Sequence, residues 1–144
     1  MLYTSQVEPQ HLAEDGEAIA VTMHLFQERL TCNHAIRLTV VDEQMFAAAI
    51  RAHSPASELD WRAGQEHLSY ELIEVPAAVA SGVTELMTAL GLRFGAFDFL
   101  LTPDDGWVFL EVNPNGQWAF IEQATGLPIA AAIADALTRQ EARA

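Results

Sequence analysis

Apolar and polar residues alternate most regularly from Phe94 to Asn113, FGAFDFLLTPDDGWVFLEVN. Strand side chains point to alternate faces. The pattern predicts two strands, Phe94 to Thr102 and Trp107 to Asn113, joined by a Pro-Asp-Asp-Gly turn. One face reads as apolar, with Phe97, Phe99 and Leu101 against Val108, Leu110 and Val112. The other face carries Asp98, Glu111 and Asn113. A turn symmetric about Asp104 and Asp105 sets Asp98 opposite Glu111, with Cβ atoms about 5 Å apart.

The same reading extends along the chain. Val21 to about Glu28 reads as a strand. AIRLTVV and MFAAAIRAH, separated by a short DEQ turn, read as a second hairpin. In the expected register Ile36, Leu38 and Val40 pair with Phe46, Ala48 and Ile50, which puts Arg37 with Ala49 or Arg51 on the opposite face. Two adjacent arginines would hold an anion between them; the alternative is two separate surface arginines. Residues 54–64 read as a loop around Asp60-Trp61-Arg62, followed by a strand in LSYELIEV. Pro76 suits a helix start, Val79, Val83, Leu86, Met87 and Leu90 recur at helical spacing, and Gly91 suits the cap. Gly126 and Pro128 separate a short helical turn from a last helix, Pro128 to about Gln140.

Residues 1–20 lack a period and read as an arm, or the remnant of a further region, with a short helix near His11 to Glu14. Residues 21–140 form the expected domain. The order of strands, helix, hairpin and helix predicts an α+β fold, an antiparallel sheet with flanking helices.

Composition narrows the partners. In 144 residues, 51% hydrophobic, there are 20 acidic side chains against 7 arginines, and lysine does not occur. A formal charge of −13 argues against nonspecific nucleic-acid binding and against an anionic membrane surface. The single cysteine, Cys32, excludes an internal disulfide and fits a reducing, cytoplasmic setting. No apolar run spans a bilayer, and no signal pattern opens the chain.

The hairpin's polar face carries the candidate chemistry. Two facing carboxylates repel unless a proton or a cation lies between them. With the neutral oxygen of Asn113 they make an all-oxygen set suited to Mg2+, which keeps water and phosphate oxygens in its other positions. A solvated strand face with one Asp and one Glu is the alternative.

Three segments resemble one family in order: FQERL with AIRLTVV, then DWR, then GAFDFLLTPDDGWVFLEVNPNGQWAFIEQATGLPI. They look like the C-terminal part of an ATP-grasp ligase, and most of all like the ATP-grasp maturases of microviridin-type ribosomal peptides (graspetides). The resemblance implies ATP and Mg2+ as cofactors and a precursor peptide as partner. It implies Asp98, Glu111 and Asn113 as metal ligands that bridge nucleotide phosphates, and Arg37 as a phosphate- or acyl-phosphate-facing group. It places Glu28 near the adenine or ribose, Arg62 near the acceptor and phosphate end, and Glu122 at the cleft edge.

The departures are the missing glycine-rich phosphate loop, the missing lysines, and TCNHA at residues 31–35, where the family has a lysine and an acidic residue. Two functions follow. One is the Mg-ATP-binding part of a carboxylate–amine or carboxylate–hydroxyl ligase. The other is a truncated, non-catalytic half that binds a peptide or self-associates. On either reading the chain is a shortened protein or a half-enzyme, expected as a homodimer or with a partner that supplies the N-terminal lobe.

Overall fold

A central strand buried on both faces needs apolar residues at nearly every position. The segment IRLTVV meets that need on one face with Ile36, Leu38 and Val40, and buries the polar Arg37 and Thr39 on the other. In the computed structural model, which describes residues 4–14, 16–21, 23, 25–54, 57 and 59–141, it lies within β1 (His34–Val41), buried from Ile36 onward. The sheet has five strands in the order β3-β2-β1-β4-β5. They are β2 (Gln44–Ala52), β3 (Leu68–Leu72), β4 (Phe94–Leu101) and β5 (Trp107–Asn113), and every neighbouring pair is antiparallel. The expected α+β class is observed.

Helices cover both faces. Two short ones, α1 (Pro9–Glu14) and α2 (Gly16–Val21), precede the sheet. On one face α3 (Ala77–Leu90) packs Val83 and Met87 against Ile36, Leu38, Val40, Ala47, Phe97 and Phe99. On the other, α4 (Ala119–Thr125) and α5 (Ile129–Glu141) bring Ile121, Ile129, Ala132 and Ala136 onto Val41, Phe46, Ala48 and Ile50. Gly91 closes α3 with φ 64°, its N–H returning to Met87 and Thr88. That left-handed position favours glycine. A fork from Arg93 to Asp42 ties β4 to the β1–β2 turn, and Arg93 also donates to the Ala136 carbonyl of α5.

Four expectations need correction. The β1–β2 register differs by one residue, because only Asp42 and Glu43 form the turn and Val41 pairs with Gln44. Ile36 therefore faces Ala49 and Arg37 faces Ala48. A one-residue slip inverts the face of every partner side chain, so Phe46, Ala48 and Ile50 share the Arg37 face. Arg51 points to the other face and pairs with Glu71 at 2.5 Å. Second, no described residue between Val21 and Asn33 is in a strand. Val21, Met23 and Leu25 are 80%, 99% and 84% exposed, so the described residues of this run form no half-buried strand. Third, Trp61–His67 is a 3₁₀ helix rather than loop, because the Asp60 side chain accepts the Arg62 N–H as a cap. Fourth, Leu90 at the end of α3 is 53% exposed instead of buried.

The β4–β5 hairpin reaches its expected pairing by an unexpected route. The turn holds Thr102 to Gly106, with Thr102 N–H on the Gly106 carbonyl at 2.9 Å. Leu101 faces Trp107 and Phe99 faces Phe109. Continued unchanged, this register would set Asp98 against Leu110. A bulge between Asp98 and Phe99 adds one residue to β5, and Asp98 faces Glu111 after all. The same bulge replaces the expected Val108–Leu110 packing. Trp107 and Phe109 now meet Phe99, at ring distances of 5.3 and 5.7 Å.

Met87 fills the α3–sheet core and Leu90 does not. Met87→Ala should therefore cost about 2–5 kcal/mol of unfolding free energy and Leu90→Ala under about 0.5 kcal/mol. Chemical denaturation of both variants measures the difference, and equal losses would contradict this packing.

Candidate active site

Pairing of Arg37 with Asp98 across β1 and β4, and of Asp98 with Glu111 across β4 and β5, aligns three charged residues in one row. Asn113, opposite Ala96, stands one step along the same face. Arg37 Nε lies 3.0 Å from Asp98 Oδ1, with side-chain exposures of 8% and 16%. Neither atom has a well-directed hydrogen bond, so the contact is one of charge more than of donor alignment. Burial draws Arg37 down from its ordinary value, Asp98 and Glu111 hold it up, and the nearby Arg62 lowers it.

Asp98 carries the strongest perturbation in this row. Burial raises its carboxyl, Arg37 opposes that, Glu111 raises it further, and the result is about 6. A carboxyl raised by burial and by a neighbouring carboxylate gains a counter-charge from a divalent cation between them. The donors are all oxygens, as magnesium prefers. Asn113 Oδ1 already accepts the Asn115 N–H at 2.9 Å, which leaves it one lone pair. The set fits magnesium with two carboxylates and an amide oxygen. Among the described residues no group of three or more His, Cys, Asp or Glu could hold a metal, so further ligands would come from water or phosphate.

Arg62 belongs to the same neighbourhood. Its Nε and Nη2 each donate at 2.8 Å to the two oxygens of Asp60, whose side chain is 4% exposed. Burial would raise Asp60, but hydrogen bonds from the Arg62 side chain and from the Thr4 and Arg62 N–H groups hold it at about 2. Asp98 and Glu111 both act on Arg62. Glu28 stands apart: it is exposed in the irregular stretch before β1, and no ion pair joins it to the row among the described residues. Glu122 Oε2 accepts the Ala130 N–H at 2.7 Å and so caps α5.

Three further residues contribute, of which the sequence pointed only to Trp61. The Arg37 guanidinium lies over the rings of Trp61 and Phe120, 5.4 and 5.8 Å from their centroids. Gly116 is buried, and a Cβ there would come 2.4 Å from Ala96 Cβ and 3.3 Å from Arg37 Nη1. Only glycine lets the loop after Asn113 pass this close. An open groove of about 360 Å³ lies beside it, lined by Asn115 to Phe120. The Asp60-Trp61-Arg62 triplet signalled Trp61; nothing local signalled Phe120.

The RimK-like ATP-grasp domain family matches residues 6–137. No curated protein matches the chain. Solved structures do. The macrocyclase MdnC from Microcystis aeruginosa MRC, bound with precursor peptide MdnA, shares 32% identity at TM-score 0.82, over 97% of this chain and 43% of that one. A Chryseobacterium gregarium RiPP-associated ATP-grasp ligase, in complex with ADP and a leader and core peptide, shares 25% identity at TM-score 0.85, over 96% and 43%. The ATP-grasp ligase PsnB, with a phosphomimetic variant of its minimal precursor, Mg and ADP, shares 26% at TM-score 0.79, over 97% and 43%. The chain thus spans less than half the length of these relatives.

The two buried aspartates predict opposite pH dependences. Asp98 is raised above its ordinary 3.8 to about 6, so its contribution to stability is full below about pH 4 and lost as pH rises through 6. Asp60 is lowered to about 2, so its contribution is present above about pH 4 and lost as pH falls through 2. In metal-free buffer Asp98→Asn should flatten the stability loss between pH 4 and 6, and Asp60→Asn the loss below pH 4, each on the order of 1–3 kcal/mol. Denaturation across pH checks both, and an unchanged slope in either variant would refute that assignment.

Proposed function

The chain belongs to the RimK-like ATP-grasp family, and from that premise we propose that it forms the Mg-ATP-binding part of an ATP-dependent ligase acting on a ribosomal peptide. The observation that carries this reading is the opposed Asp98–Glu111 pair beside Arg37. In this reading residues 21–140 are the C-terminal ATP-grasp lobe and residues 1–20 an arm upon it. Thr4 N–H reaches Asp60 at 3.0 Å and supports that docking. The setting is cytoplasmic, in keeping with the lone Cys32. No helix among the described residues is long and apolar enough to cross a membrane.

The chemistry follows from the charges. A peptide carboxylate attacks the γ-phosphorus of ATP, ADP leaves, and an acyl phosphate forms. A hydroxyl or amine of the same peptide then attacks the acyl carbon, and phosphate leaves with the electron pair of the broken C–O bond. Both steps gather negative charge on phosphate oxygens, so positioning and neutralisation dominate catalysis. Asp98, Glu111 and Asn113 would hold magnesium, which when bound would supply neutralisation of phosphate charge. Arg37 presents a fixed positive charge to the transferring phosphoryl group. Arg62, half exposed and oriented by Asp60, serves the acceptor end. Glu28 is assigned to the adenine or ribose. The rest of an ATP-grasp site, including its lysines, comes from residues outside this sequence, on the same polypeptide or on a partner.

A second reading, a non-catalytic half that binds a peptide or self-associates, draws on exposed apolar side chains. Phe109 and Leu110 on the edge strand β5 are 45% and 38% exposed, and Leu72 on the other edge is 55% exposed. Apolar residues on sheet edges favour association.

Calorimetric titration with ATP and magnesium distinguishes the two. Saturable binding should weaken about tenfold or more in Asp98→Asn and in Glu111→Gln, with little ATP turnover by the 144 residues alone. An absence of binding at millimolar nucleotide would leave only the second reading.

A further inference from the structure

An arginine that serves an anion must keep its place when its own counter-charge is drawn elsewhere. Arg37 touches one carboxylate, Asp98, at 3.0 Å. Under the function proposed above, on which this inference rests, the same carboxylate is a magnesium ligand. A cation on Asp98 competes with Arg37 for one negative charge, and the ion pair weakens when the site is loaded.

The aromatic contacts do not depend on that charge. Trp61 and Phe120 stack on each other with centroids 5.4 Å apart and planes 25° from parallel. The Arg37 guanidinium lies within 6 Å of both rings, inside the range in which the negative face of an aromatic ring attracts a cation. Each ring is braced from a separate element. Trp61 opens the 3₁₀ helix capped by Asp60, and Phe120 of α4 is met edge-on by Tyr70 of β3 at 6.2 Å. The Gly116 loop closes in on Nη1.

We propose that Trp61 and Phe120 are positioning residues that hold the Arg37 guanidinium in place independently of Asp98, so that it stays available to an anionic oxygen when the carboxylates are occupied by a cation. A flat cationic group held by ring faces keeps its N–H edge for hydrogen bonding, which an ammonium cannot do. This gives the tryptophan of the Asp-Trp-Arg triplet a role beyond filling space.

The test separates ring electrostatics from packing. Trp61→Leu and Phe120→Leu keep apolar bulk but lose the ring, whereas Trp61→Phe keeps a ring. Two quantities are measured on each folded variant: the mobility of Arg37 Nε–H by 15N relaxation without metal, and the affinity for inorganic pyrophosphate with magnesium. The expected result is a mobile Arg37 Nε–H and roughly 2- to 30-fold weaker pyrophosphate binding in both leucine variants, with near-wild-type behaviour in Trp61→Phe. An Arg37 as ordered in the leucine variants as in wild type would overturn the proposal. So would equal losses in Trp61→Phe and Trp61→Leu, which would reduce Trp61 to packing. If the wild-type chain binds no pyrophosphate, the anion-binding reading of the site fails, and with it the purpose proposed for the clamp, while Nε–H mobility still decides whether the rings hold Arg37.

Discussion

Arg37 and Asp98 face each other across the two central strands of the sheet, under α4 and α5, and their mutual need constrains everything around them. Removing an ion from water costs several kcal/mol unless it is paired, and breaking a buried pair leaves that cost uncompensated. A slip of one residue between β1 and β4 would drive Arg37 into the apolar layer of Phe97, Phe99 and Met87 and strand Asp98 without a cation. The ion pair and the core therefore select the same register, Arg37 to Asp98 and Leu38 to Phe97. Once that register is set, Ala96 and Asn113 fall on the charged face as well.

The pair is not balanced. Glu111 adds a second carboxylate to a buried one, and Asp98 is pushed up accordingly. A stability-driven design would have placed an apolar or neutral residue at one of these positions. Strain of this kind, held by a rigid scaffold, is a common property of binding sites. Here the scaffold maintains it with the bulge beside Phe99, which turns Glu111 toward Asp98, and with the glycine loop that lies against Arg37. The bulge has a second effect: Phe109 crosses to the aromatic cluster with Phe97 and Phe99 and remains half exposed on the sheet's edge.

The candidate site and exposed apolar surface meet in the same elements. The hairpin that carries the carboxylates ends in the edge strand with exposed Phe109 and Leu110, and the stretch before β1 exposes Met23 and Leu25. With a formal charge of −13, the chain has no excess of basic residues, and Arg37 and Arg62 lie close to the carboxylate pair. Each of these arginines faces an aspartate: burial and Glu111 raise Asp98 against the pull of Arg37, whereas four N–H donors, three from Arg62 and one from Thr4, hold Asp60 down.

Strand and helix identity was legible in the sequence wherever periodicity and end signals agreed: the β4–β5 hairpin, the central β1, and the helix from Pro76 to Gly91. Part of the charged row was legible too, because alternation along a strand is a local property and puts Glu111 and Asn113 on one face of β5; that Asp98 and Arg37 join them was decided by the pairing of strands. Pairing between strands is not local. The β1–β2 register turned on whether two or three residues made the turn, and the bulge on how Phe99, Trp107 and Phe109 pack; both depend on contacts between distant segments. The apolar run before β1 looked like a strand because its pattern is right, but a strand exists only with a partner ladder, and none of the described residues of the run joins the sheet. The place of Arg37 against the stacked pair Trp61 and Phe120 joins residues 24 and 83 positions away in the chain. Such a meeting is decided by how the 3₁₀ helix and α4 pack over one sheet face, which no stretch of sequence can encode by itself.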